Sequence, residues 1–208
     1  MPSKAKTVAP EQPDLGLERL IFFSDAVFAI AITLLALDIR LPAGSEMFSD
    51  AQLLAALLGI WHKYLVYGIS FFVIGTLVIG HHRKFRFIKR CDSRLLMLNL
   101  LMLMVIAFVP FPSSILSEYS NRTATVFYAL TMAAASLLGA AVWQYAAHRH
   151  RLIDPHLDEK LRRRQLIAPL ATAVAFLLSI GIAFLDVDLA KLAWGLIAFV
   201  SLYLIRDP

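Results

Sequence analysis

Apolar residues run along this chain in long blocks rather than in strict alternation. Six blocks approach the ~20 residues that a helix needs to cross a bilayer: residues 20–40, 54–80, 95–116, 123–147, 166–185 and 189–205. The second is long enough to tilt, or to begin as an interfacial piece over residues 51–59. The third ends in Pro110-Phe111-Pro112, where missing N–H groups and fixed φ predict a kink or a stop. Residues 1–18, MPSKAKTVAPEQPDLGLE, read as a polar cytoplasmic tail, and 19–208 as one helical domain without a repeat or linker. The first block is longer than a signal h-region and no small-residue cleavage site follows it. The expected fold class is all-α, a bundle of six transmembrane helices.

Composition narrows the function classes. Of 208 residues, 59% are hydrophobic and only 17% charged, which excludes a one-core soluble enzyme and a disordered chain. A net charge of +5 would suggest nucleic acid in a soluble protein, but here the basic residues sit mainly in two loops. His81–Arg94 carries Arg83, Lys84, Arg86, Lys89, Arg90 and Arg94 against Asp92, and His148–Arg164 carries Arg149, Arg151, Lys160, Arg162, Arg163 and Arg164. The other loops hold Arg40, Arg122 and Lys191. The positive-inside rule puts the two basic loops and both termini in the cytoplasm. The partners expected are membrane lipids, with anionic headgroups secondary, and no nucleic acid. Cys91 is the single cysteine and has no internal disulfide partner.

The informative positions are polar residues inside apolar blocks. Asp25 lies about a turn into the first block, beside Ser24 and near Arg19. A carboxylate at the centre of a span costs roughly 2.5–3.5 kcal/mol on insertion scales, so it reads as a structural hydrogen-bond knot, as an ion- or proton-handling group, or as a residue near the headgroups. At about 100° per residue, Phe23, Ile30, Leu34 and Leu37 share a stripe, and Asp25 lies about 140° from Ile30. Ser70, Thr76, His81, His82 and Asn99 are the other polar candidates, placed with Asp25 in the cytoplasmic half. An Asp–His–Asn network edged by Arg19 would satisfy them at one depth. His81 and His82 are adjacent and point about 100° apart, so no metal is expected there. His148, His150 and His156 fall in a basic loop and read as solvated.

Arg19-x-x-x-Phe23-Ser24-Asp25, continued as AVFAIAITLLALDIRLP, resembles the signature of the transmembrane protein 175 family of potassium channels. Trp61, Tyr64, Tyr67, Ser70-Phe71, GHHRKFRFIKR, Asn99 and Pro110-Phe111-Pro112 follow in the expected order, so the likeness covers at least residues 19–116. It implies a bacterial inner-membrane homotetramer whose four first helices line a pore for potassium ions, with no cofactor and no enzymatic activity. It further implies a hydrophobic constriction at Ile30, Leu34 and Leu37, a polar layer at Thr33, and bracing by Arg19, Phe23, Ser24, Asp25, His81, His82 and Asn99.

No TVGYG-like loop is present, so selectivity by rings of backbone carbonyls is excluded. An apolar ring can close by dewetting, because a bare ion in an apolar medium costs on the order of tens of kcal/mol. Asp38 either adds negative charge at the pore mouth or pairs with Arg40. The competing function is a proton-coupled secondary transporter relaying through Asp25 and His81/His82, against which no inverted repeat is visible. An intramembrane enzyme lacks a nucleophile or metal motif.

Overall fold

The computed structural model describes the backbone of residues 15–42 and 44–204, and the side chains of these except Glu46 and residues 196–204. The described residues are helical apart from turns and one isolated antiparallel bridge, Ile88 to Ile153. Helix α1 spans Leu15–Leu34 and tightens into a 3-10 turn over Leu35–Asp38. It starts inside the expected tail, whose first 14 residues lie outside the described ones. Leu17 and Leu20 are buried, and their packing explains the early start.

The second block divides. Helix α2 covers Asp50–Gly59 and α3 covers Trp61–Phe85, broken at Ile60. A capping box starts α2: Ser49 Oγ accepts from the Gln52 N–H while Gln52 Oε1 accepts from the Ser49 N–H. No residue of α2 is buried, so it is a separate apolar piece. The third block breaks as expected, into α4 (Ser93–Phe108) and α5 (Pro110–Tyr119), with Pro110 opening α5, where a missing N–H costs nothing.

Helix α6 (Arg122–Ala147) is the hub. Inside its apolar window 61% of residues are buried, against 28–39% in the other long helices. Its buried face is rich in small residues, among them Ala129, Ala133, Ser136, Gly139 and Ala140, which allow close helix approach where lipid removes the hydrophobic drive to associate. Helix α7 (Glu159–Ala183) begins seven residues before the expected block, because the charged run EKLRRRQ continues the helix. Helix α8 covers Val187–Leu204; residues 205–208, including the expected end of the last span, lie outside the described ones. Among the described residues, five helical segments are long and apolar enough to cross a membrane: Leu15–Asp38, Trp61–Phe85, Ser93–Tyr119, Arg122–His150 and Glu159–Ala183.

The two basic loops are clamped together rather than free. The Lys89 N–H donates to the Leu152 carbonyl at 2.7 Å, beside the Ile88–Ile153 bridge. Arg149 and His150 both take φ of 52°, an uncommon left-handed turn that folds the chain back for this contact. Two positions read from sequence as loop charges are buried instead. Lys191 donates to Ser120 Oγ and to Asp188. Lys84 lies in the last turn of α3 and points inward: a Cβ at Gly139 would stand 3.4 Å from its Nζ.

Candidate functional site

The face of α1 that packs on α3 and α4 consists of Leu17, Leu20, Ser24, Phe28 and Ala31, continued by Leu35 of the 3-10 turn. Their i, i+3, i+4 spacing makes one stripe of a 3.6-residue helix. The Ser24 hydroxyl donates to the Leu20 carbonyl at 2.7 Å, so its oxygen is left to accept, and Asn99 Nδ2 donates to it at 2.9 Å. Asn99 Oδ1 is then the acceptor for His81 Nε2 at 3.0 Å. That fixes the His81 tautomer, with Nδ1 unprotonated and, in this structure, without a partner. The His81 ring stacks on Phe85 at 4.1 Å and meets Phe28 edge-on at 5.5 Å. Three helices are thus joined by one buried polar chain, Ser24–Asn99–His81.

Asp25 belongs to a second, separate contact. His82 Nε2 donates to Asp25 Oδ1 at 2.6 Å, with both side chains about half exposed. Adjacent histidines on α3 point apart, so one reaches α4 and the other α1; the single network expected from sequence is two. Arg19 is exposed and joins neither among the described residues. Phe23 is exposed as well. Ser70 is also displaced from the expected cluster: its hydroxyl pairs with Ser113 at 2.8 Å, about 16 Å along α3 from His81 at 1.5 Å per residue. Thr76 spends its hydroxyl on the Val73 carbonyl of its own helix.

The packed face corrects the simple opposition of Asp25 and the apolar stripe. Ser24 marks its centre, with Asp25 at about 100° to one side and the Ile30 stripe at about 110° to the other. Ile30 is 58% exposed, Leu34 39% and Leu37 61%, so the described residues leave much of this stripe uncovered. Thr33 is exposed too, and its hydroxyl donates to the Ile30 carbonyl at 2.9 Å. With the proton held by the helix, the oxygen lone pairs of Thr33 are what its surface offers.

Asp38 and Arg40 do not pair. The Arg40 guanidinium donates to the Leu37 carbonyl and Lys63 Nζ donates to the Arg40 carbonyl, while Asp38 borders a hollow of about 10 Å³ with Lys63, Tyr67, Ser113 and Ser117. Among the described residues no three His, Cys, Asp or Glu side chains come together as a metal site would require.

Asp92 is a site residue that sequence reasoning passed over as one acid among bases. It caps α4 by accepting from the Leu95 N–H at 2.8 Å, and it accepts from the Tyr145 hydroxyl at 2.6 Å. Arg151 lies 3.8 Å from it and its guanidinium covers the Tyr145 ring at 5.2 Å. Burial pushes the Asp92 carboxyl up, but the Tyr145 hydroxyl, the Leu95 N–H, Arg151 and the Arg94 N–H outweigh it and hold the group below the usual carboxylate value. The Asp-x-x-Leu spacing before an apolar run was the available signal for the cap.

The family model described as endosomal/lysosomal potassium channel TMEM175 matches residues 19–110. A potassium channel of Streptomyces collinus is 38% identical over 185 residues, 86% of this chain and 88% of that protein. A potassium channel of Chamaesiphon minutus is 37% identical over 179 residues, 82% of this chain and 87% of that protein. The crystal structure of a lysosomal potassium-selective channel TMEM175 homolog from Chamaesiphon minutus superposes with a TM-score of 0.80 at 28% identity, over 92% of this chain and 99% of that one.

Proposed function

The chain belongs to the TMEM175 family, and from that premise we propose that it is a potassium channel formed by four copies around a central axis. It is a membrane channel and not an enzyme. The observation that carries this reading is the line of exposed apolar side chains Ile30, Leu34 and Leu37 on a helix whose Ser24 is buried against Asn99 on another face. One subunit has no wet path along that line, whereas rotation about an axis turns one helix face into a ring.

In this arrangement the three residues form stacked apolar constrictions, and Thr33 lays a ring of hydroxyl oxygens between them. Closure excludes water from the rings, and the bare ion then meets a barrier on the order of tens of kcal/mol. Opening widens them enough for a partly hydrated cation, and potassium sheds water more readily than sodium. The Ser24–Asn99–His81 chain and the Asp25–His82 pair brace α1 from behind, with Arg19 and Phe23 at its cytoplasmic end. Asp38, free of Arg40, supplies negative charge near the opposite mouth.

Six spans, counting α8, place both termini and both basic loops on the cytoplasmic side of a bacterial inner membrane. Residues 19–208 form the channel domain, with no cofactor beyond the permeant ion.

Liposomes holding the purified protein test this directly. Potassium should run down its gradient without a proton gradient, through particles of four subunits. Saturating flux that requires protons would point instead to a carrier using Asp25 and His82, which lie 2.6 Å apart.

A further inference from the structure

A cleft of about 360 Å³ opens between the end of α6 and the start of α7. It is lined by Trp143, Gln144, Ala147 and His148 on one wall and by Glu159, Arg162, Arg163 and Leu166 on the other. Its walls are pinned: Trp143 Nε1 donates to the Arg162 carbonyl at 3.0 Å, and the Arg162 guanidinium donates to the Ala147 carbonyl. The cleft sits where the apolar stretches of both helices give way to the basic loop. Trp143 and Leu166 line the apolar end, and the arginines the polar one.

Charge inside the cleft is unbalanced. Glu159 is the one carboxylate lining it, and both Arg162 and Arg163 bond to it at 2.9 Å or less. Two guanidiniums carry ten N–H donors between them, and only three are taken by protein acceptors among the described residues. Arg163 is 74% exposed along its side chain. A second anion is what the set lacks, and a phosphate offers oxygens that match the guanidinium fork.

We propose that this cleft binds the phosphate headgroup of an anionic phospholipid of the leaflet facing the basic loops. The glycerol and acyl ends run past Leu166 and Trp143, while Arg162 and Arg163 hold the phosphate and Glu159 keeps the two guanidiniums aligned. This binding rests on the membrane placement above and not on potassium conduction.

The test is retention of phosphatidylglycerol against phosphatidylcholine by the full-length protein, read by native mass spectrometry after delipidation and re-addition of each lipid. Wild type should retain phosphatidylglycerol selectively. The double variant Arg162→Gln/Arg163→Gln should retain roughly 25-fold less, since each basic charge at an anionic surface is worth about a factor of five. Lys89→Gln/Arg90→Gln, which removes the same charge from the other loop, should retain it fully. Equal loss in both double variants, or no lipid preference in wild type, would overturn the site. Inorganic phosphate displacing the lipid at millimolar concentration would assign the cleft to a soluble phosphate and also overturn the lipid. Because the preference in wild type needs no substitution, a misfolded variant does not spoil the result. Lipid retention without potassium flux in the same preparation would count against the channel alone.

Discussion

The two faces of α1 distribute polarity the wrong way round for a protein in water. On the packed face Ser24 accepts from Asn99, which in turn accepts from His81, and all three are buried. On the open face Ile30, Leu34 and Leu37 stand exposed, with Phe22 and Phe23 a turn or two below. With lipid outside, apolar burial no longer distinguishes inside from outside, because acyl chains are as apolar as leucine. A few hydrogen bonds therefore decide which side of α1 packs. The apolar side is left for lipid or for the same helix of another copy.

Asn99→Leu should break the packed face most severely. It strips the acceptor from His81 Nε2, whose other nitrogen already has no partner, and stranding one buried donor costs about 1–3 kcal/mol. Thermal unfolding in detergent should shift down accordingly, and Asn99→Asp, which keeps an acceptor, should recover part of it. An unshifted transition would mean that the polar chain braces nothing.

Ile30→Asn probes the other face, and the comparison predicts the reverse pattern. An exposed position away from packed contacts changes stability by within ~0.5 kcal/mol, while a polar group in the constriction should raise potassium flux severalfold. Lost stability with unchanged flux would turn this face into a packing surface. Asp25→Asn should fall between the two. The Asp25–His82 pair is half exposed and such pairs are worth roughly 0–1 kcal/mol. Its loss should lower the yield of assembled particles and leave the potassium-to-sodium ratio alone; an altered ratio in intact particles would place Asp25 in the ion path.

Much of this is legible in the sequence. Hydropathy gives the long helices, the two prolines give the break at Val109, and the rare polar residues in apolar blocks name every member of both α1 contacts. Partners were not legible, because a helical wheel fixes a residue's direction on its own helix but not the rotation of the neighbour. His81 and His82 therefore divide between two contacts, Asn99 and Asp25, that the sequence places in one network. Lys84 and Lys191 misled for another reason: near a span end, charge alone does not say whether a long side chain runs outward to water or back along the helix. The polar start of α7 was missed because EKLRRRQ is a good helix former with only Leu161 apolar to mark it.

A last effect lies away from both faces, in the clamp between the basic loops. Asp92→Ala removes the cap of α4, worth about 1 kcal/mol, together with the contacts to Tyr145 and Arg151. The folded-state value of this carboxyl is depressed below its ordinary 3.8. Its charged form thus stabilises the fold fully above that value, and the contribution fades as pH falls through the lower folded value. The melting gap between wild type and Asp92→Ala should be constant near neutral pH and narrow below about pH 4, where the unfolded chain takes up the proton first. Melts of both proteins in detergent from pH 7 to pH 3 read it directly. If the gap stayed level, the neutral cap would account for the whole effect and the charged clamp would drop out, leaving the backbone contact of Lys89 with Leu152 to hold the two loops together.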